Sequence, residues 1–246
     1  MSDLGVASVD SALQLLNLLA DKPGVGLSEI ARLSGINKSR VYRLLCTLEA
    51  RFYVQKSADP VTYRLGHQIL VLGVGARSQN LLLQAAEPLL DRLSQHLNEN
   101  LQIRLCEGEE VVQIAARTSK QTLQVRSLIG NRRQLGEGPS GKLLLAYAAH
   151  DLQDKYLQQS DSPAQLSAQW LNIRQQRLAR SEGELTPGVW AFAVPIFDSQ
   201  RRCIASLSLS APVQRAEINA DNIIAQLTQA AAEISSQLGC PNDSSF

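Results

Sequence analysis

The feature that most constrains this chain is a pair of short helical patterns joined by Ser34-Gly35-Ile36. Gly35 supplies the left-handed backbone that a sharp turn after a helix requires, and Asn37 is a good N-cap for the helix that follows. That second helix is expected to run to about Ala50. Its buried stripe consists of apolar residues at the spacing of one helix face: Val41, Leu44, Leu45 and Leu48. Two helices joined in this way predict a helix-turn-helix.

The opposite face of the second helix is polar and basic, and we expect it to contact DNA. Segment 32–64 holds seven bases and two acids, although the net charge of the whole chain is only +1. Such a concentration of positive charge is typical of a nucleic-acid module joined to a nearly neutral body. Arginines on this face can pair bidentately with guanine. The candidate contacts on the helix are Lys38, Ser39, Arg40, Tyr42, Arg43 and Thr47.

Two short strand-like pieces follow this helix, at residues 52–54 and 62–65, with a polar tip between them. They predict a β-hairpin wing, on which Lys56 and Arg64 reach the DNA backbone or minor groove. Gly66 ends this unit. We therefore predict a DNA-binding domain at 1–66, a linker helix at 67–80 and a second domain at 81–241.

Past residue 100 the pattern predicts an α+β domain built on an antiparallel sheet with flanking helices. Strands are expected at 101–106, 110–117, 121–125, 189–197 and 203–210. Helices are expected at 139–149, 167–180 and 217–238.

Composition excludes several other classes of protein. The charge-free stretches, such as 143–150 and 189–197, are too short to cross a bilayer, and no export signal is visible at the start. The four cysteines have no C-x-x-C spacing, so we expect reduced thiols and no metal site. The three histidines lie far apart in the sequence, which argues against catalysis by histidine. We expect a cytoplasmic protein that is not an enzyme and needs no cofactor.

Several strings resemble, in order along nearly the whole chain, the IclR family of bacterial transcription regulators. They are SVDSAL at 8–13, LSEIARLSGINKSRVYRLLCTLE at 27–49, YRLG at 63–66, SGKLLLA at 140–146, PIFD at 195–198 and SLSLSAP at 206–212. The resemblance implies a winged helix-turn-helix, a linker helix and a GAF/PAS-like effector domain. It also implies homodimers or homotetramers that bind operator DNA, more often as repressors, and respond to small organic or aromatic acids.

The resemblance further implies an effector site in the second domain. Its expected residues are Gly138, Pro139, Ser140, Ser181, Glu184, Trp190, Ala191, Ser208 and Ser210. In the family the loop before Ser140 holds a ligand carboxylate through backbone amides, but Pro139 has no N–H to donate. Ala191 and Ser181 stand where members that bind small oxo-acids carry a thiol and a carboxylate. We therefore expect a less polar pocket that suits a larger or aromatic acid.

Two positions depart from the family pattern in this chain. Phe52 and Arg177 stand where glycines are common. Both departures concern local turns and leave the expected fold unchanged.

Two other functional classes stay open at this point. Residues 136–142 fit most of the phosphate-binding pattern G-x-x-x-x-G-K-[ST], but Leu143 takes the place of the hydroxyl that holds Mg²⁺. A P-loop enzyme is therefore disfavoured. A small-molecule sensor without DNA function is the other alternative, and the basic helix argues against it.

Overall fold

The structure is a computed structural model that describes residues 5–125 and 127–241. The first four residues of the predicted 1–66 domain lie outside the described residues. The chain divides into two units at Asn80 and Leu81, and each unit has its own hydrophobic core. Within the described residues, no helix combines the length and apolar character needed to span a membrane.

The N-terminal unit is a three-helix core followed by a hairpin and a further helix. Gly35 ends the second helix with a φ of +69°, which is the conformation expected for this turn. The elements are α1 (Ala7–Asp21), α2 (Leu27–Ser34), α3 (Lys38–Ala50), β1 (Val54–Lys56), β2 (Tyr63–Leu65) and α4 (His67–Gln79). Their shared core contains Leu15, Leu19, Ile30, Val41, Leu45, Val54 and Tyr63. The predicted winged helix-turn-helix is therefore confirmed.

The backbone conformation at Phe52 explains why a glycine is common at this position in the family. Its φ is +63°, a left-handed conformation that strains any residue with a Cβ. This turn delivers the chain from α3 into β1, and β1 pairs antiparallel with β2 from Val54 opposite Leu65. Arg177 has a φ of +51° and stops a helix of the second unit in the same way.

The C-terminal unit is a six-stranded antiparallel sheet with helices on both faces, as the α+β prediction requires. The strand order is β5-β4-β3-β8-β7-β6. The elements are α5 (Leu81–Leu97), β3 (Asn100–Glu107), β4 (Glu110–Arg117), β5 (Arg132–Gln134), α6 (Gly138–Ala146), α7 (His150–Gln159), α8 (Pro163–Gln176), β6 (Ala179–Glu182), β7 (Val189–Phe197), β8 (Cys203–Pro212) and α9 (Val213–Gln237).

The two faces of this sheet have different partners because side chains alternate along each strand. Leu207 and Leu209 of β8 belong to the larger core, which also includes residues of α5 and α9. Ser206, Ser208 and Ser210 alternate with these leucines and therefore point to the other face. A second core, which includes residues of α6 and α8, lies on that side.

Three parts of the secondary-structure prediction were wrong. Residues 121–125 form bends and coil, and the edge strand is instead β5, a charged three-residue segment without an apolar alternation. The helix predicted at 167–180 begins earlier, at Pro163, and ends at Gln176, since Ala179 already lies in β6. Helix α7 was not predicted because its sequence is mostly polar.

Candidate functional site

Helix α3 begins with an exposed polar turn at the surface of the N-terminal unit. The Asn37 Oδ1 atom accepts hydrogen bonds from the backbone N and the Oγ of Ser39, at 2.9 and 2.7 Å. Lys38, Ser39 and Arg43 are exposed, and Tyr42 is 49% exposed. A helix start that carries basic side chains attracts phosphate through both its N–H groups and its charge.

The two arginines of this helix have different surroundings. The Nη2 of Arg40 donates to the Ala7 carbonyl at 2.7 Å and to the Ser11 Oγ at 2.9 Å, so its guanidinium ties α3 to α1. The sequence predicts a base or phosphate contact for Arg40 as well as for Arg43, and for both residues this stays a prediction. Among the residues that the structure describes, the guanidinium of Arg43 has neither a hydrogen-bond nor an ion-pair partner. Arg43 is therefore the better candidate for a direct base or phosphate contact.

The remaining DNA-binding candidates lie on the exposed surface of the same unit. Thr47 is exposed, and its Oγ1 donates to the Arg43 carbonyl at 3.1 Å. Lys56 and Arg64 are exposed on the hairpin, where the Nε of Arg64 donates to the Gln55 Oε1 at 3.2 Å. Their part in DNA binding stays a prediction.

Replacing Asn37 with alanine is expected to destabilise the N-terminal unit by about 1 kcal/mol, because the first turn of α3 loses its cap. Thermal unfolding followed by circular dichroism measures this loss. Asn17→Ala is the matched control, since Asn17 lies exposed within α1 and caps no helix. Equal stability of the two variants would contradict the capping role.

A cavity lies in the C-terminal unit, on the sheet face that carries the serines of β8. It encloses about 640 Å³ of empty space, measured out to its open mouth. Seven of the nine predicted effector residues line it: Gly138, Pro139, Ser140, Ser181, Ala191, Ser208 and Ser210.

Two predicted effector residues do not line this cavity. Glu184 is exposed and forms an ion pair with Lys142. Trp190 packs against the larger core on the opposite face of the sheet. It does so because Ala191, the next residue in β7, faces the cavity, and consecutive side chains of a strand point to opposite faces.

The most unusual group bordering the cavity is Arg104 in β3, which we did not predict. It is 3% exposed, and among the described residues its guanidinium hydrogen-bonds only neutral groups. The Nε and Nη2 donate to the Gln102 Oε1 at 3.1 and 3.0 Å, and Nη2 also reaches the Gln113 Oε1 at 2.7 Å and the Ser127 Oγ at 3.1 Å. The Nη1 atom is buried and has no hydrogen-bond partner among the described residues.

Burial, and to a lesser extent the nearby charge of Arg133, lowers the pKa of Arg104 to about 10. The guanidinium therefore stays positive at neutral pH. The sequence signal for it was present, because Gln102 and Arg104 alternate with the buried residues Leu101 and Ile103. Polar side chains at alternate positions of a central strand indicate that one face of the sheet does not pack against a purely hydrophobic core at this point.

Gly138, at the start of α6, has no room for a side chain. Its φ is +61°, and an added Cβ would lie 2.5 Å from the Leu185 Cδ1, which also borders the cavity. The Gly138→Ala variant is expected to lose about 1–2 kcal/mol from the left-handed backbone and to displace Leu185. Chemical denaturation and ligand titration measure the two effects.

Gly108→Ala is the matched control for this variant. Gly108 has a φ of +63°, but an added Cβ there meets nothing within 4 Å. We expect a similar loss of stability and unchanged ligand binding. If the Gly108 variant also binds ligand differently, backbone strain, and not the displacement of Leu185, accounts for the altered binding of the Gly138 variant.

The surroundings of residues 136–142 do not match a P-loop. That motif follows a buried strand of a parallel sheet, whereas β5 is a short strand at the edge of an antiparallel one. In addition, Lys142 is engaged with Glu184.

Known proteins resemble the chain over both units. One family model, described as the IclR helix-turn-helix domain, matches residues 8–58, and another, described as bacterial transcriptional regulator IclR C-terminal, matches residues 75–236. The HTH-type transcriptional regulator KdgR of Dickeya chrysanthemi is 29% identical over 245 residues, which cover 95% of this chain and 80% of that protein.

Solved structures share the fold. The IclR transcriptional regulator from Alicyclobacillus acidocaldarius has a TM-score of 0.86 at 24% identity, over 96% of this chain and 100% of that one. An IclR homologue from Microbacterium hydrocarbonoxydans was crystallised with 4-hydroxybenzoate. It has a TM-score of 0.82 at 21% identity, over 94% of this chain and 98% of that one. From these matches and the two units described above, the chain belongs to the IclR family of bacterial transcriptional regulators.

Proposed function

We propose that this regulator binds operator DNA through α3, with the hairpin as a flanking contact, and that a small organic acid in the cavity of the C-terminal unit controls this binding. The observation that carries the DNA-binding part is the exposed N-terminal half of α3. It holds Lys38 next to the capped terminus and Arg43, whose guanidinium has no partner among the described residues. A helix of this kind reads base edges in the major groove. The setting of such a regulator is the cytoplasm.

A homodimer is the smallest assembly that this proposal requires. Two copies of α3 would contact half-sites about 34 Å apart, or a multiple of that distance, on a pseudo-palindromic operator. Apolar side chains left exposed on the N-terminal unit support self-association, since such residues usually find a partner when they cluster. They are Val6, Val9 and Leu13 near or within α1, and Leu70, Val71 and Val74 of α4.

The cavity supports control by an organic acid. It is bordered by seven of the predicted effector residues and by the buried positive charge of Arg104. The relative from Microbacterium hydrocarbonoxydans was crystallised with 4-hydroxybenzoate, which is an organic acid. Ligand binding would shift the equilibrium between DNA-competent and DNA-incompetent spacings of the two recognition helices. In a repressor, the ligand-bound form would release the operator.

Salt dependence tests the DNA-binding part. We expect the affinity for promoter DNA from the neighbourhood of the gene to fall steeply with salt, with a logarithmic slope of about −0.9 per phosphate contact. Electrophoretic mobility shifts or fluorescence anisotropy measure this slope. If the purified protein binds no DNA of any sequence even at very low salt, the DNA-binding part is wrong. The protein would then be a small-molecule sensor without DNA function.

A panel of organic acids tests the control. An acid that raises the unfolding temperature should also change the midpoint of operator binding. An acid that stabilises the protein without any effect on operator binding would contradict control through this cavity.

A further inference from the structure

We propose that the cavity binds a polyhydroxylated carboxylate of the aldonic-acid type, with its carboxylate on Arg104 and its hydroxyl groups on the serines of the cavity. This inference rests on the proposed function, in which the cavity receives an organic acid. It names the chemical class of that acid and departs from our expectation of a less polar pocket for a larger or aromatic acid.

The first argument is the charge of Arg104. A buried guanidinium is costly unless an anion and hydrogen-bond acceptors compensate it. Here the acceptors are the amide oxygens of Gln102 and Gln113 and the hydroxyl of Ser127, all of which are neutral. Among the described residues no carboxylate pairs with Arg104, and its Nη1 lacks a partner. A ligand carboxylate in the cavity would supply the compensating negative charge.

The second argument is the weakness of the alternative anion site at the start of α6. Pro139 has no backbone N–H, which removes one donor from that terminus. Glu137 also borders the cavity next to this terminus, and its negative charge disfavours a carboxylate there. Arg133 borders the cavity as well and adds a second positive charge near Arg104. The carboxylate is therefore expected at the arginines and not at the helix start.

The third argument is the number of hydroxyl groups without a protein partner. Ser140, Ser181 and Ser208 are 5%, 6% and 3% exposed, and within the described chain their hydroxyls make no hydrogen bond. Ser210 accepts from the Asn100 Nδ2 at 3.2 Å and the Gln102 Nε2 at 3.1 Å, which leaves its own O–H to donate. Buried polar groups are almost always hydrogen-bonded, so these hydroxyls fit a ligand that carries its own.

The lining also lacks the groups that an aromatic ligand prefers. None of the described residues that border the cavity is aromatic, and Trp190 faces the other side of the sheet. An aromatic ring would cover the serine hydroxyls without satisfying them, which is unfavourable. A chain of hydroxylated carbons satisfies them.

The experiment compares ligands that differ in one feature, with the full-length protein and isothermal titration calorimetry. The aldonates are threonate, arabinonate, gluconate and galactonate. Glucitol keeps the hydroxyls without the carboxylate, hexanoate keeps the carboxylate without the hydroxyls, and 4-hydroxybenzoate is the aromatic acid. We expect at least one aldonate to bind at least about 10-fold more tightly than the other three compounds.

Variants then test the assigned groups with the best aldonate. Arg104→Gln should weaken its binding about 10- to 100-fold, as expected for a hydrogen bond to a charged group. Ser208→Ala should weaken binding of the aldonate about 2- to 10-fold and leave the affinity for hexanoate unchanged. Arg132→Gln is the matched control, since Arg132 is exposed and pairs with Glu107 and Glu110 outside the cavity. A cooperative thermal transition and retained operator binding show that each variant is folded.

Several results would overturn the inference. They are glucitol binding as tightly as the aldonates, no aldonate binding at all, or full affinity in a folded Arg104→Gln variant. If that variant fails to fold, the comparison of gluconate, glucitol and hexanoate on the unmodified protein still decides. Tight binding of 4-hydroxybenzoate alone, with an effect on operator binding, would overturn the aldonate inference and leave the proposed function intact. If no acid affects operator binding, the proposed control itself fails.

Discussion

Arg43→Ala is expected to weaken operator binding by at least about 30-fold, with the fold and the affinity for the effector unchanged. Arg43 is exposed in the N-terminal half of α3 and, in the described part of the chain, its guanidinium has no partner. A bidentate arginine–guanine contact contributes about 1–3 kcal/mol, and a homodimer would lose two of them. A loss of about 2 kcal/mol already corresponds to about 30-fold. Fluorescence anisotropy with labelled operator measures the change.

The control for Arg43→Ala removes a positive charge elsewhere. Arg92 lies in the C-terminal unit and pairs with Glu233 at 2.7 Å, with 46% of its side chain exposed. Arg92→Ala should leave operator affinity within about 2-fold, because surface ion pairs contribute little. Unaltered operator affinity in the Arg43 variant would contradict the assignment of α3 as the recognition helix.

Leu45→Ala is expected to destabilise the N-terminal unit by about 2–5 kcal/mol, which is the usual range for a leucine lost from a core. Leu45 is 1% exposed and belongs to a core of only seven buried residues. A small domain has a total stability of about 5 kcal/mol, so a loss at the upper end of this range would leave about half of the unit unfolded and weaken operator binding. The C-terminal unit has a separate core and should keep its ligand affinity. Urea denaturation and ligand titration measure the two parts.

Thr47→Ala serves as the control for this substitution. Thr47 lies two residues further along α3 and is exposed, so its replacement should change the free energy of unfolding by less than about 0.5 kcal/mol. Equal denaturation midpoints for the two variants would contradict the position of Leu45 in the core. A parallel loss of ligand affinity in Leu45→Ala would contradict the independence of the two cores.

The helix-turn-helix was predictable because local signals agree there. Gly35, Asn37 and the stripe that begins at Val41 each indicate the same turn and the same buried face. The wrong predictions lie where local and tertiary preferences differ. β5 is a strand because β4 offers it hydrogen bonds, and not because Arg132, Arg133 and Gln134 favour one.

The cavity shows the same division between local and tertiary information. Its serines follow from the alternation in β8 and from the resemblance to the family. Trp190 was misplaced because the resemblance to the family was followed over the alternation along β7, which places Trp190 and Ala191 on opposite faces. Arg104 was missed because its role depends on its hydrogen-bond partners in the folded protein. Two of these partners, Gln113 and Ser127, come from other parts of the chain.

The alternation along β8 also affects how regulators of this kind can diversify. Ser208 and Ser210 face the cavity, and Leu207 and Leu209 belong to the core on the other side. If the proposed site is correct, substitutions at the two serines change the recognised ligand while the leucines preserve the scaffold. A lineage that meets a new nutrient can therefore acquire a matching sensor through a few substitutions, without first having to evolve compensating changes in the hydrophobic interior.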